Sequence, residues 1–492
     1  MEFKTMRDLL GHVNPMTRIY KQPLLTHHQR FFNALIKALN ALTCSDWLMF
    51  QEHLARTGRE TMPVNNSRLK GFYKLSVIER RQLIAESSNL LPEQVAALAK
   101  NGELDDSAAD RMIENVIGTM SLPVGVATNF IIDEKHYVIP FCLEESSVVA
   151  AASNMAKRCH VHGGFTSSND GPMMIAQIQL LDIDDHDEAK QGVLENKDTL
   201  IKLANSLPST MVRLGGGCKD ITTRSIETLS GQMFIVHIHV DCRDAMGANA
   251  VNTMAELLAP ELERITNGRA LLRILSNLAT ERLARVRATF TPEEISNSGE
   301  KLDGSKIIEG ILEAYHFAVA DPYRAATHNK GVMNGISAVA VACGQDWRAI
   351  EAGCHAYVAY SQGRYGSMTH WELDSEGNLV GSIETPMAVG IVGGASKVHP
   401  VARTNLEILG VESAQELASV MAAAGLAQNL GALRALATSG IQKGHMRLHA
   451  RNMAVSAGAE GKEIEDVAKL LIEHDGPITQ TKVSEILEAY RA

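Results

Sequence analysis

The chain has 492 residues, of which 45% are hydrophobic and 21% charged, and its formal net charge is −10. This length exceeds one ordinary hydrophobic core, so two or three domains are expected in a soluble globular protein. The negative charge, without a long basic run, argues against nucleic acid as the main partner, and no apolar run approaches the ~20 residues that span a bilayer.

The cysteines and the N-terminus indicate the cellular compartment in which the protein is found. Seven cysteines are scattered along the chain and form no C-x-x-C pair, which favours a reducing environment. The N-terminus MEFKTMRDLLGHVNP lacks the apolar centre of a signal peptide. The sequence therefore predicts a cytoplasmic protein that is not held in a membrane.

The first third of the chain reads mainly as helices. Residues 1–66 are predicted to be an extension with one helix, from His28 to Leu42, that docks on the body or on a neighbour. Ser76 and Glu79 predict a capping box and a helix through Ala85. Proline at the start and glycine past the end predict a second helix, from Pro92 to near Gly102. A third is predicted from Ala109 to Thr119.

A hairpin is predicted over residues 129–142, because β-branched and aromatic runs flank a short polar turn. It leads to Glu144 and Glu145, at the start of an alanine-rich helix from Ser147 to Lys157. The polar segment from Thr166 to Pro172 predicts a loop and a domain boundary.

Residues 172–276 alternate between strand and helix patterns. In the third strand the apolar residues recur at every second position, which indicates one buried face. The order β-α-β-β-α-β is typical of a ferredoxin-like domain and not of a Rossmann fold. The predicted elements are strand Met173 to Asp182, helix His186 to Asn205, strands Lys219 to Thr228 and Gln232 to Asp241, helix Gly247 to Ile265, and strand Ala270 to Leu275.

From Asn277 the chain is predicted to return to helical scaffold, with alanine- and glycine-rich helices between Gln415 and Thr438. The last fifty residues show two helical patterns, Gly444 to Ser456 and Lys462 to Glu473. Gly440 and Gly444 could be the hinges of a mobile flap. The predicted fold class is α+β, with a mainly helical large domain (67–171 and 277–439), an inserted ferredoxin-like domain (172–276) and a helical C-terminal flap (440–492).

Two motifs carry candidate chemistry. In residues 321–347, DPYRAATHNKGVMNGISAVAVACGQDW, cations lie beside glycines, so a backbone could approach an anionic ligand closely. Composition equally allows a solvated charge cluster at a helix N-terminus. In residues 244–249, DAMGAN, a strand gives way to a helix whose first amides could bind a pyrophosphate. Without G-x-G-x-x-G, spacing alone favours a plain tight turn.

Other patterns are interpreted as structural. Cys159, His160 and His162, and the pair His237 and His239, have short spacings but no complete ligand set, so no metal is predicted. Cys218 follows three glycines without a neighbouring base and is predicted to be inert.

Residues 321–347 and five further segments resemble the bacterial class II 3-hydroxy-3-methylglutaryl-CoA reductases. The resemblance runs from about Ser67 to the C-terminus in the family's order. It implies an NAD(P)-dependent oxidoreductase that interconverts this acyl-CoA thioester with mevalonate and CoA by two hydride transfers, using NADH or NADPH. The five segments are Met112 to Phe130, Glu144 to Lys157, Asp241 to Glu256, Glu384 to Pro400 and Gly425 to Met446.

The resemblance also implies roles for the domains and the assembly. The large domain would bind the substrate and CoA, the inserted domain would bind NAD(P), and the flap would close over the ligands. A homodimer or a multiple of it is expected, with active sites at subunit interfaces. No nucleic acid or membrane is expected as a partner.

Glu145, Lys330, Asp346 and His445 match the family's catalytic residues. Lys330 would stabilise the developing oxyanion, and Glu145 would donate a proton if burial or the neighbouring carboxylate makes it easier to protonate. Asp346 would keep Lys330 charged and oriented, and His445 would protonate the leaving CoA thiolate. Ser146 stands where the family commonly has proline, which loosens the backbone but leaves the acid.

Binding residues follow from the same resemblance. Arg324, Asn277 and Asn334 are candidates for the substrate's carboxylate and hydroxyl, Arg324 above all because guanidinium matches carboxylate bidentately. Pro208 stands about where NAD-preferring relatives place an aspartate, which leaves the choice between NADH and NADPH open. The candidate cofactor residues are Asp244, Met246, Gly247, Ala248, Asn249 and Pro208.

Two other classes of function remain open on the sequence. A CoA-thioester acyltransferase or hydrolase would acylate Cys218 and need no dinucleotide. A non-catalytic CoA-binding protein could share the fold, although all four catalytic positions hold competent residues.

Overall fold

The computed structural model describes residues 67–99, 104–296, 302–438, 450–474 and 478–491. They form a mixed fold of helices and two β-sheets, with three separate apolar cores. The predicted helix from His28 to Leu42, the hinge glycines Gly440 and Gly444, and His445 lie outside these residues.

The first part of the chain confirms the capping box and the hairpin. Ser76 Oγ accepts from the Glu79 amide, and the Glu79 carboxylate accepts from the Ser76 amide. Two residues with positive φ, Asp133 and Glu134, make the hairpin turn. The elements are α1 (Val77–Ser87), α2 (Pro92–Ala99), α3 (Asp106–Asp110), β1 (Val124–Ile132), β2 (Lys135–Cys142), α4 (Val148–Arg158) and β3 (Phe165–Asn169).

Two predictions in this part were wrong. The helix from Ala109 to Thr119 is not present: α3 ends at Asp110, and Asn115 and Gly118 take positive φ in the segment that follows. Its apolar side chains are mostly exposed and find no core among the described residues that could stabilise a helix. The predicted loop from Thr166 is instead largely strand β3, whose polar residues pair with the next strand of the sheet.

The middle part has the predicted order of strands and helices. The single helix predicted from His186 to Asn205 is divided at Asn196, whose side-chain amide donates to the Gly192 carbonyl. Four strands form an antiparallel sheet in the order β5-β6-β4-β7. The elements are β4 (Met173–Leu181), α5 (His186–Glu195), α6 (Lys197–Ala204), α7 (Thr210–Arg213), β5 (Gly217–Thr228), β6 (Gly231–Asp241), α8 (Ala248–Thr266) and β7 (Arg269–Leu275).

The prediction that the last part, from Asn277 onward, is helical scaffold was wrong, because this part also contains strands. Three of its strands complete a six-stranded sheet in the order β2-β1-β3-β8-β10-β9. The elements are β8 (Leu283–Phe290), α9 (Pro292–Ile295), α10 (Gly304–Ala320), α11 (Pro322–Ala342), α12 (Trp347–Gln362), β9 (Thr369–Leu373), β10 (Leu379–Pro386), α13 (Ala395–Val398), α14 (Pro400–Leu409), α15 (Ala414–Ala437), α16 (Glu463–Glu473) and α17 (Gln480–Arg491).

The largest core is organised around α15. By length and apolar composition this helix could cross a membrane, but two thirds of its most apolar window is buried within the protein. Glycines allow it to pack closely against α11, since a Cβ at Gly335 would lie 2.5 Å from the Ala424 carbonyl oxygen. We conclude that α15 is a core helix that fixes the position of α11.

Candidate active site

Lys330, Glu145 and Asn334 lie together. Lys330 Nζ donates to Glu145 Oε2 at 2.5 Å, and Asn334 Nδ2 lies 3.5 Å from the same oxygen. Lys330 and Asn334 are four residues apart on α11 and therefore project from the same face of that helix. These three residues are called the lysine cluster below.

Buried polar residues next to Lys330 hold its helix in place. His328 Nε2 lies 2.9 Å from Thr369 Oγ1 and 3.1 Å from Asn429 Nδ2. Asn329 donates to the Gly366 carbonyl at 2.8 Å. Burial lowers the pKa of His328 to about 3, so this imidazole is neutral at physiological pH. The Lys330 backbone is therefore held by buried hydrogen bonds on the two preceding residues, although His328 Nδ1 has no partner among the described residues.

Glu145 is placed by a strained turn between β2 and α4. Ser147, the residue before α4, has φ 73, a left-handed conformation that is costly for a residue with a Cβ. Strain of this kind persists only where the surroundings enforce it, and it is concentrated at functional sites. The turn directs the Glu145 carboxylate toward Lys330.

The lysine cluster is open to solvent in a single chain. The side chain of Lys330 is 60% exposed and that of Glu145 34%. An exposed ion pair of this kind contributes little to stability, typically about 0–1 kcal/mol. The pair is thus available for a ligand and is not needed to hold the fold.

The motif of residues 244–249 forms a tight turn before α8. Gly247 has φ 94, and a Cβ there would lie 2.2 Å from Cys242 Sγ, so this position requires glycine. Among the described residues no side chain caps the N-terminus of α8. Its first amides are therefore free to bind an anion such as a pyrophosphate.

A buried arginine holds this turn, and sequence reasoning missed it. Arg282 is 4% exposed and donates to the carbonyls of Ala245 and Met246 at 3.1 Å and of Val389 at 2.5 Å. Asp244, predicted to contact the cofactor, accepts through Oδ1 from the Ala414 amide at 2.9 Å. These groups position the turn. Arg282 stands between Glu281 and Leu283 in the sequence, and this local pattern gives no signal of its role.

Asp346 and Asn277 lie close to the 244–249 turn and not beside Lys330. Asp346 caps α12 by accepting from the Ala349 amide, and its neighbour Gln345 exchanges two hydrogen bonds of 2.9 Å with Gly390. A Cβ at Gly390 would lie 2.5 Å from the Met246 amide, so Gly390 contacts the turn. The Asn277 carbonyl lies against α12. Residues 244–249, Asn277 and Asp346 are called the loop cluster.

The two clusters are separated within one chain. From Lys330 to the end of α11 at Ala342 the helix rises about 18 Å, and Asp346 lies beyond that end. The only ion pair of Asp346 among the described residues is with Arg348, at 3.7 Å. Arg324 lies six residues before Lys330 on α11, about 9 Å along the axis. A single chain therefore does not bring Asp346 to Lys330.

Two predicted residues remain to be placed. Pro208 is exposed in the connection between α6 and α7, and α7 is followed by Gly216, where a Cβ would lie 2.6 Å from the Asp241 carbonyl oxygen. The chain thus reaches the last residue of β6 at Gly216, eight residues after Pro208, and Asp241 lies three residues before the 244–249 turn. His445 lies outside the described residues.

The cysteine and histidine patterns have structural partners. Cys218 is buried, and burial raises the pKa of its thiol to about 11, which disfavours a nucleophilic thiolate. His239 contacts Glu281 and Thr222 at 2.9 Å, and His237 contacts Gln177 at 3.1 Å. In the described part of the chain no group of three or more His, Cys, Asp or Glu residues is placed to hold a metal ion.

Comparisons with known proteins give consistent matches over most of the chain. Residues 76–450 match the model of the hydroxymethylglutaryl-coenzyme A reductase family. A 3-hydroxy-3-methylglutaryl-coenzyme A reductase from Archaeoglobus fulgidus is 55% identical over 427 residues, which cover 87% of this chain and 95% of that protein.

Solved structures from Streptococcus pneumoniae are also similar. One 3-hydroxy-3-methylglutaryl-coenzyme A reductase has a TM-score of 0.73 at 40% identity and covers 86% of this chain and 99% of its own. A class II reductase bound to NADPH in open conformations has a TM-score of 0.72 at 40% identity, with coverage of 75% and 99%.

Proposed function

Because the chain belongs to the hydroxymethylglutaryl-coenzyme A reductase family, we propose that the lysine cluster of one copy and the loop cluster of a second copy together form its active site. The protein is an NAD(P)H-dependent oxidoreductase of the mevalonate pathway, and its substrate is the acyl-CoA thioester 3-hydroxy-3-methylglutaryl-CoA. The observation that carries the proposal is the 2.5 Å contact between Lys330 and Glu145 in a cluster that lacks its aspartate.

Lys330 and Glu145 carry the charge and proton changes of the reduction. A bound NAD(P)H would supply the two hydrides that convert the thioester carbonyl carbon first to an aldehyde and then to an alcohol. Lys330 stabilises the oxyanion that develops at this carbon, because a fixed cation costs no reorganisation as charge forms. Glu145, hydrogen-bonded to Lys330 and Asn334, is placed to donate a proton to the same oxygen. Arg324 binds the far carboxylate of the substrate.

The 244–249 turn holds the dinucleotide. The free amides at the start of α8 suit its pyrophosphate, and Gly247 lets the backbone approach it. Residues 172–276 therefore act as the cofactor domain, 67–171 with 277–439 as the substrate and CoA domain, and 440–492 as the flap.

A second copy of the chain completes the site. Next to Glu145, the segment of residues 111–124 exposes apolar side chains that the described part of the chain leaves uncovered, including Ile113 (65%), Ile117 (104%) and Met120 (84%). Pro123 in this segment accepts from the Leu143 amide, two residues before Glu145. Large exposed apolar patches mark interaction sites. We place the dimer contact here, in a cytoplasmic homodimer or a multiple of it.

A direct assay tests the activity. Purified protein is mixed with the thioester and either NADH or NADPH, and the nicotinamide absorbance is followed. Oxidation of at least one cofactor, with mevalonate and free CoA as products, is expected. No oxidation with either cofactor would rule out the proposed chemistry.

Pro208→Asp is expected to move cofactor preference toward NADH. An acidic side chain there would accept from the ribose 2′-hydroxyl and repel the 2′-phosphate of NADPH. The ratio of kcat/KM for the two cofactors measures the change. Pro208→Ala, which removes the ring without adding charge, is the control. An unchanged ratio in the aspartate variant would mean that residue 208 does not contact the ribose.

His445→Gln is expected to nearly abolish reduction of the thioester but not that of free mevaldehyde. The CoA thiolate leaves only from the thioester, so only that substrate needs an acid at sulfur, and losing a general acid typically costs ~10²–10⁴-fold in rate. Gly440 and Gly444 would absorb the motion of the flap that brings His445 to sulfur.

The rates with both substrates are compared in His445→Gln and in His449→Gln, which replaces the next histidine along the chain. Equal losses with thioester and mevaldehyde in His445→Gln would show a general positioning role. A thioester-specific loss in His449→Gln instead would make His449 the acid.

A further inference from the structure

A cavity of about 620 Å³ lies on the face of the six-stranded sheet formed by β3, β8, β10 and β9, under the C-terminal half of α12. This is the size of pockets that bind small organic molecules. Along α12 the cavity residue Tyr357 is eleven residues from Asp346, about 16 Å. Neither the lysine cluster nor the loop cluster lines it.

The floor of the cavity carries a cation without a counter-charge. Arg287 lies on β8, one of the two central strands, and is exposed to the cavity. Across the strands it pairs with Thr166 and Ser382, which have only hydroxyl side chains. In the described ranges of the chain no carboxylate or carbonyl makes a hydrogen bond or ion pair with the Arg287 guanidinium.

Arg285, two residues before Arg287 on the same strand, differs from it because its charge is paired with acidic side chains. Arg285 donates to both oxygens of Asp170, at 2.5 and 3.0 Å, and to Glu384 at 2.5 Å. Hydrogen bonding to Asp170 and then to Glu384 raises the pKa of Arg285. Tyr357 donates to the other oxygen of Glu384 at 2.5 Å. Glu384, which lines the cavity, and Asp170 are therefore engaged by Arg285 and Tyr357, and within the described residues neither pairs with Arg287.

The walls are a mixture of aromatic and aliphatic groups. Tyr315, whose hydroxyl lies 2.9 Å from His370 Nδ1, and Val319 come from α10, while Tyr357 and Val358 come from α12. Met368 closes one side. A guanidinium with hydroxyls at the floor and apolar walls above matches an oxyanion attached to a short apolar body.

We propose that this cavity is a second binding site, in which Arg287 holds the phosphate or carboxylate of a small organic anion and the tyrosine and valine side chains cover its apolar part. A guanidinium matches both oxyanions with two parallel N–H donors. The hydroxyls of Thr166 and Ser382 supply further donors on either side. The ligand is thus an amphipathic anion and not a bare inorganic ion.

Calorimetric titration with n-butyl phosphate tests the proposal on the full-length protein. Saturable binding is expected, with inorganic phosphate weaker because it lacks the apolar part, and with pentanoate showing whether carboxylate serves as well. Arg287→Gln should bind n-butyl phosphate about tenfold to a hundredfold more weakly, since a hydrogen-bonded charge is removed. Ser361→Trp, which fills the cavity but keeps Arg287, should weaken binding too.

Controls separate this site from the active site and from general surface charge. Arg224→Gln removes an exposed guanidinium from β5 of the other sheet and should bind as the parent does. Arg324→Gln, in the proposed substrate site, should also keep binding. Reductase activity and the unfolding temperature of Arg287→Gln should match the parent. Unchanged affinity in Arg287→Gln, loss in Arg324→Gln, or no saturable binding at millimolar ligand would overturn the proposal.

Discussion

Lys330→Met is expected to lower kcat for thioester reduction about 10²–10³-fold, the usual effect of removing one preorganised group that stabilises an oxyanion. Methionine keeps the length of the side chain and the apolar stem but removes the charge that contacts Glu145 at 2.5 Å. Because the oxyanion forms only during reaction, kcat should fall more than substrate affinity.

The fold should tolerate this substitution. The Lys330–Glu145 pair is largely exposed, so its loss should change the unfolding temperature little. Lys190→Met, which removes an exposed lysine from α5, is the matched control and should keep full activity. Steady-state rates and thermal melts of the parent, Lys330→Met and Lys190→Met test this prediction. Activity of Lys330→Met within about threefold of the parent would contradict a role at the oxyanion.

Mixing two inactive variants is expected to restore activity. Lys330→Met and Asp346→Asn each disable both sites of a symmetric dimer. If a site combines Lys330 of one copy with Asp346 of the other, a mixed dimer has one intact site and one that lacks both residues. Random exchange of subunits makes half of the dimers mixed, so about a quarter of the parent activity should return. Rates before and after exchange measure this recovery.

Mixing the parent with a double variant should give the opposite result, a mixed dimer without activity. A mixed dimer of the parent and the double variant Lys330→Met/Asp346→Asn has one residue missing from each site and should be inactive. If both residues instead acted within one chain, this second dimer would keep half the activity and the first would have none. The about 18 Å from Lys330 to the end of α11 is the reason to expect the first outcome.

Local sequence was sufficient for the features that depend on neighbours along the chain. The capping box at Ser76, the hairpin turn at Asp133 and Glu134, and the requirement for glycine at position 247 each involve residues within a few positions of one another. The alternation in β6 likewise identified its buried face. The segments that identify the family are also local motifs, and the match over residues 76–450 confirmed them.

Contacts between distant segments were decided only by the tertiary structure. Strands β8 and β10 were missed because Arg285, Arg287 and Glu384 face a cavity, and a strand with charges on its open face does not resemble a core strand in sequence. The role of Arg282 depends on carbonyls more than thirty residues away.

The distance between Lys330 and Asp346 is the clearest case of a feature that the sequence did not predict. They are sixteen positions apart in sequence, and nothing in the sequence says that most of the residues between them form one continuous helix. The sequence by itself determined which residue types and motifs are present. The structure decided that the helix, at about 1.5 Å per residue, carries the lysine and the aspartate to different places on one chain.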